Sequence, residues 1–287
     1  MSTIIQLVQG SKEWFTYRMG MFNASETAAM LGISPWTTPY QLWLLKTGRK
    51  QQAVNTAMQH GTALEPAART AYEVQSGHVM QPLVLQDGPY SASLDGMTLE
   101  GDLIVEIKCP LQGTRSDLWQ VVAAGQVPEH YMFQVQHQLM VSGARLAHLW
   151  VFDGAQGLLC PIAPDEAAIV RIRQGWEQFQ TYLDTDTPPP LTDADTVIRE
   201  DIEWTQAALA FSEAKRLADL ADAALAHARE AMVSLADHPR EQGSGVTVTR
   251  YWKAGNVDYK KIPALKGLDL GAFRGNAREE VRVTVVG

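Results

Sequence analysis

The stretch from residue 79 to residue 109 constrains the fold more than any other part of this chain. Up to Gly77 the apolar residues recur three and four apart, as in helices; beyond it they fall into short runs separated by turn residues, at 79–85, 90–95 and 103–109, which predict strands. The last two runs predict a hairpin turning through Gly101, with Asp95 at the end of one arm and Glu106 and Lys108 on the other. Strand side chains alternate, so Glu106 and Lys108 share one face while Val105, Ile107 and Cys109 take the other. The apolar set can pack a core. A Glu and a Lys on one side of an otherwise apolar strand are costly to bury unless they are paired or bound to a metal.

Helical spacing precedes this stretch at 25–31 and 40–47, each run closed by a glycine, Gly32 and Gly48. A third helix is expected from near Gly61 to Gln75, with Gly77 as its stop; its Pro66 is tolerable only if the first turn lies there. After the strands, helical spacing returns at 118–124, 131–142 and 165–183, and strand-like runs occupy 146–152 and 158–162. Helices flanking a small mixed sheet make an α/β core.

Pro188-Pro189-Pro190 cannot continue a helix and marks a boundary. The expected organisation is a domain at 1–187, a Pro-rich linker at 188–196 and a C-terminal extension at 197–287. The extension opens with a segment, 197–236, rich in Ala, Leu, Glu, Arg and Lys. It predicts one long helix of order 60 Å, at about 1.5 Å per residue, or a bent pair. A polar turn containing Gly243-Ser244-Gly245 leads to 246–251, and 281–286 closes the chain; both alternate like strands and suggest a small β tail. The tail carries Arg250, Lys253, Lys260, Lys261, Lys266, Arg274, Arg278 and Arg282 with Tyr251, Trp252 and Tyr259 interleaved. That is the composition of a DNA-contacting strip, although Asp258, Asp269, Glu279 and Glu280 dilute it, and a structural buttress is an equal reading.

Charge and composition narrow the function classes. A formal net charge of -8 excludes holding nucleic acid by overall charge, so any DNA binding needs a local basic surface. The first ten residues lack the features of a signal peptide and no segment suggests a membrane role, so a cytoplasmic protein is expected. Cys109 and Cys160 have neither CxxC spacing nor a histidine cluster for zinc, and reduced thiols are expected. His60, His78, His130, His137 and His148 are scattered without a serine partner, which leaves no hydrolase triad. Trp14, Trp36 and Trp43 read as core residues in preference to base-stacking ones.

The chemistry therefore rests on Asp95, Glu106 and Lys108. Magnesium prefers carboxylate oxygen and water, so the two acids can hold one or two ions beside a scissile phosphate. Lys108 would steady the attacking hydroxide or the charge growing on phosphorus, acting as a point charge. On spacing alone, Glu-x-Lys is more often a surface ion pair.

The flanking blocks change that balance. Gly10-Ser11-Lys12-Glu13-Trp14, Arg18-Met19-Gly20, Ala24-Ser25-Glu26, Gly61-Thr62-Ala63-Leu64-Glu65, Ser93-Leu94-Asp95-Gly96 and Glu106-Ile107-Lys108-Cys109-Pro110, with Gln134-Val135-Gln136 beyond them, occur in the order of a known family. Over roughly residues 5–185 the chain resembles the phage exonuclease family of lambda exonuclease, also called the YqaJ-like viral recombinases. The resemblance implies a restriction-endonuclease-like fold with the PD-(D/E)xK pattern, in which Asp95, Glu106 and Lys108 are catalytic. Leu94 stands where the pattern has proline, a departure that touches turn geometry and not the ligands. Glu65 and Gln134 are implied to border the site, Glu65 as a further metal ligand. Arg18 and Ser25 resemble residues that bind a terminal 5′-phosphate, and a helix start at Ser25 beside an Arg suits a phosphate; as a plain reading of residues, Ser25 is only a helix cap. Arg115 is a candidate DNA contact.

What the resemblance implies is a magnesium-dependent enzyme, with manganese as a substitute, that digests linear double-stranded DNA from 5′ to 3′. It would leave single strands for a phage annealing protein, act as a ring of three subunits, and be of phage or prophage origin in a bacterial host. Two further readings stand beside it: an endonuclease or repair nuclease with the same metal site, and a non-catalytic binding protein dominated by the basic tail.

Overall fold

The computed structural model describes residues 2–51, 55–268, 273, 275, 280 and 281. The chain forms two compact units, Met1–Thr196 and Val197–Gly287.

The first unit is built on a mixed seven-stranded sheet. Its main path runs β1 (Thr3–Ile5), β3 (Gln81–Asp87), β4 (Tyr90–Met97), β5 (Leu103–Lys108), β6 (Leu146–Phe152) and β7 (Gly157–Ile162). A two-residue strand, β2 (Phe22–Asn23), lies parallel beside β4. Neighbours are antiparallel except β2 with β4 and β5 with β6. The parallel β5–β6 pair requires a crossover, which α5 (Asp117–Ala123) and α6 (Glu129–Ser142) supply.

Alternation along the strands divides the core in two. On one face, Ala92, Leu94, Ile104, Leu149 and Val151 pack with Val135 and Leu139 of α6 and with Ile172 and Trp176 of α7 (Glu166–Asp184). The small helix α2 (Thr27–Met30) and α3 (Pro39–Lys46) complete this layer through Ala29, Met30, Leu42 and Trp43. On the other face, Val105, Ile107, Trp150 and Phe152 meet Ala68 and Tyr72 of α4 (Thr56–Ser76), and the Trp150 indole donates to the Ala68 carbonyl at 3.0 Å. Val105 and Ile107 thus pack as the strand alternation predicts.

Several expectations need correction. Helix α4 begins well before Gly61: Asn55 caps it by accepting from the Met58 N–H at 2.9 Å, and Pro66 lies in its interior. An interior proline costs a helix about 3 kcal/mol; here the turns beyond it are anchored by buried Ala68 and Tyr72, which offset the lost bond. The predicted stop at Gly77 holds, with φ 75° at that glycine. Ser25 does not start a helix by capping: it lies within a 3-10 turn, Ala24–Glu26, and its hydroxyl accepts from Arg18. Helix α1 (Lys12–Met19), with Ser11 as its N-cap, and the short strands β1 and β2 carried too little periodicity to be expected. Trp43 is core as predicted, whereas Trp36 is 66% exposed in the loop between α2 and α3.

In the second unit, α8 (Ile202–Leu235) is one continuous helix of 34 residues, capped by Asp201, about 50 Å long at ~1.5 Å per residue. The strand at β9 (Val246–Thr249) pairs with β8 (Arg240–Gly243) across Ser244 and Gly245. Both turn residues are left-handed, φ 49° and 79°, as a two-residue hairpin requires. The other expected strand, 281–286, lies outside the described residues apart from Val281, as do Arg274, Arg278 and Arg282. Arg250 ties the hairpin to the helix end by donating to the carbonyls of Val233 and Ala236 at 2.8 and 3.1 Å.

Candidate active site

The β4–β5 hairpin pairs at only two positions, Gly96 with Val105 and Met97 with Ile104. Beyond them the strands part. The Ile107 N–H is taken up by Asp95, whose Oδ2 accepts it at 2.7 Å. Gly96 is what allows the close approach: a Cβ there would stand 2.6 Å from the Met80 Cβ and 2.9 Å from a Val105 methyl. The Leu-Asp-Gly block thus has a steric reason to end in glycine, and past it the parting of the strands leaves an opening beside the end of β5.

Glu106 lies at that opening yet is only 3% exposed. Three groups hold its carboxylate: Lys108 Nζ at 2.6 Å, Gln134 Nε2 at 2.7 Å, and Gln138 Nε2 in a very short contact. Gln134 also accepts from Lys108 at 3.3 Å, closing a triangle. The Glu106–Lys108 ion pair exists, but it is an inward pair and not a surface one. Such a pair persists only where added hydrogen bonds satisfy the remaining lone pairs, which the two glutamines do. Burial lowers the Lys108 pKa, but Glu106, Tyr131 and Asp95 outweigh it and hold the ammonium above its ordinary value.

Asp95 and Glu65 complete a carboxylate group around Glu106. Burial first, then the charges of Glu106 and Glu65, push the Asp95 carboxyl well above the usual carboxylate range. Glu65 is also raised, by burial and by Glu106, although Arg69 pulls it down. Arg69 spans the two, donating to Glu65 at 2.6 Å and to the Asp95 carbonyl at 2.7 Å. Among the described residues no group of three or more His, Cys, Asp and Glu side chains stands ready as a metal cage; lysine, arginine, glutamine and a backbone amide engage the carboxylates instead. The residue types nevertheless fit a hard divalent cation, because carboxylate oxygen is its preferred donor and a cation would relieve the charge that Glu106 and Glu65 place on Asp95.

A second cluster surrounds Arg18 and Ser25. Arg18 donates to the Ser25 hydroxyl at 2.9 Å, stacks over Trp14 at 4.5 Å, and lies 3.5 Å from Glu26. Behind them Lys46, with 3% of its side chain exposed, binds Glu26 at 2.6 Å and the carbonyls of Arg18 and Met21 at 2.8 and 2.6 Å. Asn23 donates to the same two carbonyls and to Glu26. The Trp14 indole donates to Ser93 at 3.0 Å, two residues before Asp95 on β4. Arg115 lies apart, exposed on the turn Gly113–Arg115 after β5.

The structure therefore gathers Asp95, Glu106, Lys108, Glu65 and Gln134 at one place and Arg18 with Ser25 at another. Sequence reading overlooked Gln138, Arg69, Tyr131, Glu26 and Lys46. Helical spacing carried a signal for three of them: Gln138 follows Gln134 by four, Arg69 follows Glu65 by four, and Tyr131 precedes Gln134 by three. Lys46 had none, since only the fold brings α3 behind Arg18.

A mixed sheet flanked by helices, with acids on β4 and β5 where the two strands part, is the restriction-endonuclease-like core. Residues 13–145, all within the first unit, match the model of the YqaJ-like viral recombinase domain. The Bacillus subtilis (strain 168) protein called "Uncharacterized protein YqaJ" is 30% identical over 138 residues, 46% of this chain and 42% of that protein. The chain thus spans less than half the length of that curated relative. The crystal structure of an alkaline exonuclease, LHK-Exo from Laribacter hongkongensis, is similar at TM-score 0.53 and 26% identity, over 61% of this chain and 94% of that one. LHK-Exo in complex with dAMP matches at TM-score 0.52 with the same identity and coverage.

Proposed function

We propose that the chain is a magnesium-dependent deoxyribonuclease, specifically an exonuclease that digests linear double-stranded DNA from 5′ to 3′. The observation that carries this reading is Glu106, a carboxylate 3% exposed and held by Lys108 and two glutamines, and near enough to Asp95 and Glu65 that its charge raises the pKa of each. Burying a carboxylate with two further acids within electrostatic range is costly, and a bound cation would offset that cost.

Asp95, Glu106 and Glu65 are the residues that would hold magnesium, with manganese as a substitute. When bound, the ion supplies Lewis-acid polarisation of the scissile phosphate and a water of lowered pKa. Lys108 sets its ammonium against the negative charge that grows on the phosphoryl oxygens as the bond to the leaving oxygen breaks. Gln134, bonded to both Glu106 and Lys108, keeps the two side chains in register. The likeness to an alkaline exonuclease, one form of which holds dAMP, supports a nucleotide-sized product.

End recognition is assigned to Arg18 and Ser25. A terminal phosphate carries more charge than an internal diester, and an Arg already seated on Trp14 and on the Ser25 hydroxyl loses little freedom on binding it. Arg115 is a further DNA contact in this reading. The remaining strand would pass to a phage-type annealing protein, and assembly as a homotrimer around the duplex is expected; mass measurement in solution checks it. Among the described residues no helix is long and apolar enough to cross a membrane.

The test is digestion of linear duplex labelled at one 5′ or 3′ end, with and without a 5′-phosphate, in magnesium and in chelator. Cleavage in magnesium alone, release of the 5′ label first, and slower digestion of 5′-hydroxyl ends are expected. Equal cleavage of closed circular DNA would replace the exonuclease by an endonuclease, and no turnover in magnesium would overturn the reading.

A further inference from the structure

Trp36 is the most exposed aromatic side chain among the described residues of the first unit. It is 66% exposed, although burying an indole is among the larger apolar gains a fold can make. Its position is not a loose one. The Ser34 hydroxyl accepts from the Trp36 and Thr37 N–H groups at 3.2 Å each. Upstream, the Ile33 and Ser34 N–H groups both bond the Ala28 carbonyl, and downstream Thr38 caps α3. The backbone on both sides is tied, and the indole is held outward.

The ring belongs to a short aromatic path that ends on Lys108. Trp36 lies 4.9 Å from His130 and nearly perpendicular to it, and 6.0 Å from Tyr131. His130 and Tyr131 are 4.2 Å apart at the start of α6. Tyr131 in turn sits beneath the Lys108 ammonium, 4.8 Å from ring centroid to Nζ. One tyrosine ring therefore separates the exposed indole from the lysine. Neither ring contact of Trp36 is a parallel stack: that with His130 is edge-to-face and that with Tyr131 is tilted. The neighbouring acid, Glu129, is engaged by Arg171 at 3.1 Å.

We propose that Trp36, braced by His130 and Tyr131, is the platform on which a nucleobase of the DNA strand stacks while its phosphate lies at Lys108. The ligand class is a nucleobase of any identity, because stacking uses the π-face common to all four. The arrangement deepens the nuclease reading on which it rests. It supplies a base-side contact that positions the strand, while Lys108 and the carboxylates act on the phosphate. Tyr131 serves both parts, since the ring that orients Lys108 also supports Trp36.

Trp36→Ala and Trp36→Phe, compared with the unsubstituted chain, test the proposal by two readouts. One is equilibrium binding of a fluorescent linear duplex with a short single-stranded end, in chelator, which needs no cleavage. The other is steady-state digestion in magnesium. Trp36→Ala is expected to weaken binding and raise KM by roughly 5- to 150-fold, the equivalent of ~1–3 kcal/mol of base stacking, with the loss falling on KM rather than kcat. Trp36→Phe, which keeps a ring, should stay within a few fold of the unsubstituted chain. An abasic residue at the end should weaken the unsubstituted chain toward the Trp36→Ala value and leave Trp36→Ala nearly unaffected. Unchanged binding and KM in Trp36→Ala, or an equal abasic effect in both chains, overturns the platform. If the unsubstituted chain binds DNA through Trp36 yet never cleaves it, the nuclease reading fails and the base contact stands.

Discussion

Lys108 is the residue on which the proposed chemistry turns. Its ammonium pairs with buried Glu106, touches Gln134 and rests on Tyr131, so Lys108→Met removes a positioned charge without emptying the space. Turnover should fall by about 10²–10³-fold, the usual loss when one transition-state donor is deleted, while duplex binding in chelator changes far less; equal losses in both would show a general disruption. His137 makes a separate prediction about acid stability. It is fully buried, contacts the Thr27 hydroxyl at 2.7 Å, and is lowered to about 3 by burial and by the charge of Arg173. The folded chain thus refuses a proton that the unfolded chain accepts near its ordinary value of about 6.5. The stability linked to this group is complete above that value and is lost as pH falls from there toward 3. Melting temperature should drop between pH 7 and pH 4, and the drop should be shallower in His137→Asn; an unchanged slope would sink the assignment. At this scale strand alternation put Glu106 and Lys108 on one face of an apolar run, but it took the flanking blocks, read in order, to single them out with Asp95. Gln138 and Arg69 were equally available from four-residue spacing, but an isolated Gln or Arg on a helix has too many ordinary uses to stand out before its partner is placed.

Among the elements, the hairpin of β4 and β5 makes the site by failing to pair along its whole length. Gly96 holds the strands together at their last shared pair, and its missing side chain is filled by Met80 and Val105. Gly96→Ala should destabilise the first unit by about 1–3 kcal/mol through overpacking and shift Asp95 away from the Ile107 amide. Denaturant unfolding and digestion assays would check both, and a fully stable, fully active variant would contradict the steric account. The order of strands and helices from 79 to 184 was visible in hydrophobic period. Helix α4 was placed too late because Pro66 reads as a helix start, whereas burial of Ala68 and Tyr72 against β5 and β6 carries the helix through it. The strand partner of β9 was likewise sought at the C-terminus, when the left-handed Ser244-Gly245 turn closes a local hairpin with β8.

On the scale of the whole molecule, the carboxylate group, Lys108, the Arg18 cluster and the Trp36 path all lie within Met1–Thr196. A chain ending at Thr196 should therefore fold and retain magnesium-dependent cleavage within a few fold, measured per molecule on short linear duplex. Ending at Pro190 should be worse, because Asp195 accepts from the Thr38 hydroxyl at 2.5 Å and so braces the cap of α3. Loss of cleavage in the longer truncation would assign a catalytic role to the second unit. The sequence by itself determined the α/β class and the long C-terminal helix, because both are written in local periodicity, and it singled out Asp95, Glu106 and Lys108 only once the flanking blocks were read in order. Only the tertiary structure decided that Glu106 is buried between two glutamines and a lysine, that Lys46 stands behind Arg18, and that Trp36 faces outward. Those facts depend on elements far apart in sequence meeting in space, and a burial pattern along one segment does not record which partner another segment will bring to it.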